Sequence, residues 1–242
     1  MSHYWESQIY EQPSEAKLKK NASESIKKDK KRGKENYPVI IQGRKIAKTW
    51  WGEAWCENLE RYADYESRLD RGKRYVRTGA VIDLKIQKGK VLARVQGRRK
   101  APYKIEIRIS PISEERCQSI IEQCGNKIEN LEALLKGGFP DDLKSLFLEK
   151  NGLFPESREI SFSCSCPDWA LMCKHVAAVL YGIGARFDEN PLLFFELRGI
   201  DVSRFVDVAL ESKVEKMLQN ADKKSERIIE TVDYATMFGV DL

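Results

Sequence analysis

Between positions 164 and 175 the chain reads CSCPDWALMCKH, which crowds Cys164, Cys166, Cys173 and His175 into twelve residues. These are the donors that zinc prefers, thiolate sulfur and imidazole nitrogen, and four protein ligands close a tetrahedral shell. A closed shell leaves no position for water or substrate. The expected ion is therefore one structural Zn2+, and no catalysis is expected at it. The spacing also dictates local geometry. Cys164 and Cys166, two apart on an extended strand, point to one side of it, and Pro167-Asp168 can turn the chain. Cys173 and His175 would not share a face inside a regular helix, so one or both should lie where the apolar segment VAAVLYGIGARF begins to wind.

Other readings of the cluster explain less. The chain has two histidines, and the one away from the N-terminal arm stands at the fourth ligand position. A buried structural histidine beside inert thiols is the plain alternative, since free cysteine behaves as a small hydrophobe. A redox dithiol of Cys164 and Cys166 leaves Cys173 and His175 without a role and lacks the usual two intervening residues. A zinc hydrolase using Asp168 as base would need an open ligand position. Cys56, Cys117 and Cys124 fall beside apolar residues on predicted helices and read as structural thiols. Such uneven spacing is not a disulfide framework. No apolar stretch reaches the ~20 residues of a membrane span, and MSHYWESQIYEQ lacks the layout of a signal peptide. A cytoplasmic protein without a membrane partner is expected.

The net charge of +5 conceals an asymmetry. Residues 61–108 hold fifteen Lys/Arg against five Asp/Glu, whereas residues 187–242 hold seven against twelve. The basic part mixes cations with aromatics: Arg68, Arg71, Lys73, Arg74, Tyr75 and Arg77, then Arg98, Arg99, Lys100 and Tyr103. Such cations suit a phosphate backbone and would give salt-sensitive affinity, while exposed tyrosines could stack on unpaired bases. The alternative is a solvated strand face with ordinary charge pairing.

The expected fold is α+β: an antiparallel β-meander with packed helices, a small zinc-bound strand-turn-helix module and a helical C-terminus. Residues 1–38, rich in Lys, Ser, Glu and Asn, read as a disordered basic tail, although Tyr4, Trp5 and Tyr10 suit a docking contact. Residues 39–157 read as an α+β domain. Its amphipathic helix over 46–59 is anchored by Trp50, Trp51 and Trp55. A three-stranded meander follows over 72–110, broken at Lys88-Gly89-Lys90 and around 98–102, and then three short helices between 113 and 150. Residues 158–187 form the zinc module. Residues 188–242 read as an acidic helical region whose last residues, 238–242, are either frayed or a contact peptide.

Cys-x-Cys, a short spacer and Cys-x-His, with Trp169 and the apolar VAAVLY, resemble the signature of the SWIM zinc finger, a strand-strand-helix module. The segments TWWGEAW, RGKRYVRTGAV and VLARVQGRRKAPYKIEI are similar to the upstream region of bacterial SWIM proteins, so the likeness runs over residues 43–200. It implies a nucleic-acid or protein interaction surface and association with a helicase-like ATPase of the Swi/Snf class. The chain has no Gly-x-x-x-x-Gly-Lys-Ser/Thr phosphate loop, so such a motor would be another chain. The function expected from sequence is non-catalytic zinc-dependent interaction with DNA or RNA. A protein-protein adaptor whose basic surface meets an acidic partner is the alternative.

Overall fold

The computed structural model describes residues 12–127, 144–148 and 152–201, with separate positions from 203 to 218. The expected meander is present as β1 (Val81–Gln87), β2 (Lys90–Val95) and β3 (Tyr103–Ile109). A fourth strand, β4 (Ile160–Cys164), pairs antiparallel with β3, giving the order β1-β2-β3-β4. The turn between β1 and β2 is closed by Gly89 at φ 70, a backbone conformation that side chains resist. Along β2 and β3 the burial alternates, with Val91, Ala93 and Val95, then Tyr103, Ile105, Ile107 and Ile109, on the covered face. This is the period-two signature of a half-buried antiparallel sheet. β1 breaks the alternation, because Val81, Ile82, Asp83 and Leu84 are all buried. The cause is a segment running along its outer edge, where the Val39 N–H donates to the Val81 carbonyl at 3.0 Å and the Leu84 N–H to the Tyr37 carbonyl at 2.9 Å.

The covered face is roofed by α6 (Lys174–Glu189), which is buried at every position from His175 to Ala185. A helix that is apolar all round belongs in an interior. Here the sheet lies on one side, and α2 (Trp50–Glu60) and α3 (Glu66–Arg77) pack against others. Tryptophan fixes the first crossing. The Trp55 indole donates to the Leu180 carbonyl at 3.1 Å and the Trp51 indole to the Phe187 carbonyl at 3.0 Å. At the start of α2, the Asp188 carboxylate accepts from the backbone N–H groups of Lys48 and Thr49. The second crossing is set by Gly72, where an added Cβ would stand 2.6 Å from the Cβ of Ala177. Two backbones can approach this closely only where a side chain is missing.

Beyond the meander lie α4 (Glu114–Lys127), α5 (Lys144–Leu148) and α7 (Leu192–Arg198). Phe147, Phe154, Phe187 and Phe194 form edge-to-face contacts and one tilted pair, Phe147–Phe194, around Trp55. Arg198 is wholly buried; its guanidinium donates to the Ser110 carbonyl at 2.8 Å and pairs with Glu159 at 2.9 Å. That pair ties α7 to the strand ends beneath it.

Two expectations are corrected. The N-terminal arm is not a disordered tail throughout, since residues 15–31 form the helix α1 (Glu15–Lys31), capped by the Ser14 hydroxyl. Its few apolar residues are spaced four apart, so Leu18 and Ala22 share one face and are buried, with Ile26 half-buried. Polar anchors finish the docking: Asp29 pairs with Arg94, the Asn21 amide donates to the Gly97 carbonyl at 3.2 Å, and Arg74 donates to the Pro13 carbonyl at 3.2 Å. Second, Lys73, Arg74 and Arg77, expected at the start of the meander, lie with Arg68 and Arg71 on α3. Tyr4, Trp5 and Tyr10, the middle one of the three helices expected between 113 and 150, the peptide 238–242 and most of the acidic C-terminal region lie outside the described residues. No helix among the described residues is long and apolar enough to cross a membrane.

Candidate metal centre

The four sequence-predicted ligands converge. One ligand atom from each of Cys164, Cys166, Cys173 and His175 lies within 4.8 Å of the others. His175 Nδ1 is 3.9 Å from both Cys164 Sγ and Cys173 Sγ. A tetrahedral zinc shell with ordinary bond lengths has edges of about 3.6 to 3.8 Å, so the arrangement needs only a small contraction around an ion. Each ligand has its own support. Cys164 ends β4, whose pairing with β3 sets Ile105 opposite it. Cys166 follows in the turn, where the Ser165 N–H donates to the Lys104 carbonyl at 3.0 Å and the Lys104 N–H to the Ser165 hydroxyl at 2.9 Å. Cys173 is the N-cap of α6 in extended conformation, and His175 stands in its first turn. The expected start of the helix therefore carries both C-terminal ligands.

The donor set fits zinc electrostatically. A hydrogen bond from Cys164 pulls the Cys173 thiol far below its ordinary range; His175 and the Val176 backbone N–H act the same way, against burial. A thiolate at a helix N-terminus is stabilised in this manner. The same Cys173 contact, with burial, raises the Cys164 thiol, and burial raises Cys166. Three sulfurs gathered in a half-buried site thus accommodate little negative charge alone, and a divalent cation relieves that repulsion. Burial also pushes the His175 imidazole down, toward the neutral form that ligates. Its ring is stacked on Tyr103 at 4.0 Å between centroids and meets the edge of Tyr75 at 5.4 Å. Its Nε2 is buried and has no hydrogen-bond partner among the described residues. Metal-bound histidines usually orient through a hydrogen bond from the second nitrogen; here aromatic contact holds the ring.

By contrast, Cys56 is half-buried between α2 and α6 and its thiol is pushed up to about 12, chiefly by burial. Cys117 is buried as well. Both are inert, as their apolar setting implied. The side chain of Cys124 lies outside the described residues.

The basic residues expected to meet nucleic acid divide into two groups. Lys73 pairs with Glu60 at 2.8 Å, Arg68 with Asp168 at 3.2 Å, and Arg74 and Arg77 donate to backbone carbonyls. These cations hold the fold. Arg98, Arg99 and Lys100 instead form the exposed tip of the β2–β3 loop, with Arg99 lying over the Tyr103 ring at 5.3 Å. Arg71 makes no ion pair among the described residues and, with Arg68 and Lys174, lines an open cleft of about 420 Å³ against the zinc ligands Cys166 and His175. Three further lysines escaped the sequence reading. Lys17 and Lys28, both exposed, share the helix face of Asn21, whose amide ties α1 to the β2–β3 loop at the Gly97 carbonyl. Lys174 was overlooked because it sits between two ligands.

Comparison with known proteins agrees with this geometry. The SWIM zinc finger family matches residues 161–182, which span the end of β4, the ligand turn and the first half of α6. Residues 161–182 thus carry a SWIM zinc finger, with Cys164, Cys166, Cys173 and His175 positioned to bind one zinc ion. The chain is also similar to the uncharacterized protein Rv2102 of Mycobacterium tuberculosis (strain ATCC 25618 / H37Rv), 38% identical over 156 residues. That match covers 64% of this chain and 56% of the relative, so the chain spans little more than half the relative's length. No solved structure matches the chain.

Proposed function

We propose that this protein is a non-catalytic, zinc-stabilised nucleic-acid-binding protein. The observation that carries the reading is the basic cleft against the zinc ligands, lined by Arg68, Arg71 and Lys174, with the exposed loop tip Arg98–Arg99–Lys100 joined to it through Tyr103, which lines the cleft and lies under Arg99. These elements come from separate parts of the sequence, and clustered cations of this kind create a potential that draws polyanions. Zinc has an organising role. The ring of His175 stacks on Tyr103, which in turn lies beneath Arg99, so the metal site supports the basic loop through two aromatic layers. A helicase-like ATPase supplied by another chain is proposed as a partner on the resemblance of the sequence alone.

A second reading, a protein-protein adaptor, is favoured by one observation: Trp169 and Leu171 of the finger are 80% and 67% exposed. The test is fluorescence anisotropy of zinc-loaded protein with labelled DNA and RNA across a salt series. Affinity should fall steeply with salt, because phosphate contacts release counterions with a slope of roughly −0.7 to −0.9 per phosphate neutralised. Reversal of Arg98, Arg99 and Lys100 to Glu should lower that slope by about two to three and weaken all sequences alike. Salt-insensitive binding, or a triple variant that binds as tightly as wild type, would leave the adaptor as the better account.

A further inference from the structure

The turn between Cys166 and Cys173 is held more firmly than its exposure suggests. The Asp64 carboxylate accepts from the backbone N–H groups of Leu171 at 2.9 Å and Met172 at 3.3 Å, and Asp168 accepts from the Ala170 N–H at 3.3 Å while pairing with Arg68. Ala170 and Met172 turn inward and are buried. Trp169 is thereby pushed outward to 80% exposure, where it meets Tyr65 edge-to-face at 5.7 Å, and Tyr65 is itself 44% exposed. A turn with this many internal bonds could hide its tryptophan or do without one. It presents instead a rigid indole at the rim of the cleft that Arg71 and Lys174 also line.

An indole face beside cations matches the chemistry of a single nucleic-acid strand, whose bases offer flat apolar faces and whose phosphates carry charge. A duplex hides those faces in its stack and offers mainly phosphates and groove edges. We infer that Trp169, braced by Tyr65, is a base-stacking platform, and that the cleft selects single-stranded over double-stranded nucleic acid. This deepens the nucleic-acid reading above and rests on it. Arg71 and Lys174 would follow the backbone while Trp169 receives an unpaired base. The positive charge of Arg71 and Lys174 beside the platform argues for this polyanionic occupant over an apolar protein segment, which brings no negative charge to the cleft.

The test uses the full zinc-loaded chain with a labelled oligothymidylate, the same oligonucleotide carrying abasic sites, and a duplex of equal length. Trp169→Ala should lose roughly ten-fold or more in affinity for oligothymidylate and less than about two-fold for duplex. The abasic strand should bind wild type as weakly as oligothymidylate binds the alanine variant. Trp169→Phe should keep affinity within about three-fold while losing most of the tryptophan quenching that the strand causes in wild type. Normal zinc content in both variants shows that the finger is intact. Equal losses on strand and duplex, or no loss on either, would overturn the platform while leaving nucleic-acid binding in place, and would return Trp169 to a protein contact. Failure of wild type to bind any of the three would overturn the nucleic-acid reading and the platform with it.

Discussion

His175 does two jobs at once, as a zinc ligand and as a layer between Tyr103 and Tyr75, whereas Cys166 does only the first. Substituting serine for Cys164, Cys166 or Cys173, or alanine for His175, should abolish stoichiometric zinc. His175→Ala should also lower stability most, because it removes a buried ring as well as a ligand. Metal analysis with thermal unfolding would check this, and full zinc in Cys173→Ser would contradict it. A second residue-scale prediction concerns Glu159. Burial alone would raise its carboxyl, but the Glu156 backbone N–H and the guanidiniums of Arg198 and Arg116 more than offset this and hold it below the usual carboxylate range. A carboxylate lowered in the folded state contributes stability that is present above its unfolded pKa and lost as pH falls through the folded value. Glu159→Gln should therefore cost about 3 kcal/mol near neutral pH, since it leaves Arg198 buried without its counter-charge. The gap to wild type should close as the solution is acidified through the lowered range in which the folded carboxyl takes up its proton, which denaturant titrations at several pH values would measure.

At the scale of elements, the crossing of α3 over α6 depends on the missing side chain of Gly72. Gly72→Ala should destabilise the protein by about 1 to 3 kcal/mol through overpacking, despite alanine's better helix propensity of about 1 kcal/mol. It should also weaken the nucleic-acid binding proposed above, because α3 carries Arg68 and Arg71 to the cleft. An unchanged melting temperature would show that the helices adjust without cost. The same helix shows where sequence reading fails. Gly72, Tyr75 and Val76 sit among arginines with no apolar stripe long enough to declare a helix, so the segment reads as a strand approach. α1 was hidden by the opposite problem, for its lysines dominate composition while docking needs only Leu18, Ala22 and a few polar anchors. The meander was legible because Val91, Ala93 and Val95 alternate cleanly, and the zinc site because its ligands are chemically distinctive and close in sequence. The pairing of β4 with β3 was not legible, since strand partners far apart in sequence leave no local trace.

For the whole molecule, the finger is not an appendage. β4 is the outer strand of the single described sheet, and α6, which begins at the ligands, is the helix on which the sheet, α2 and α3 all pack. Structural zinc contributes apparent energies of about 10 to 16 kcal/mol in finger peptides, comparable to the entire stability of about 5 to 15 kcal/mol typical of a domain. Chelation should therefore unfold more than the finger. Hydrogen exchange should accelerate across α6, α3 and the meander together, and thermal stability should collapse; loss of protection confined to 160–175 would contradict this. The consequence reaches past the folded state. A protein whose central helix begins at its metal site should have no long-lived apo form to wait for an ion, because unfolded chains are cleared by proteases. Under zinc scarcity the cell should hold fewer copies rather than idle ones, so that the supply of a nutrient ion sets the protein's lifetime.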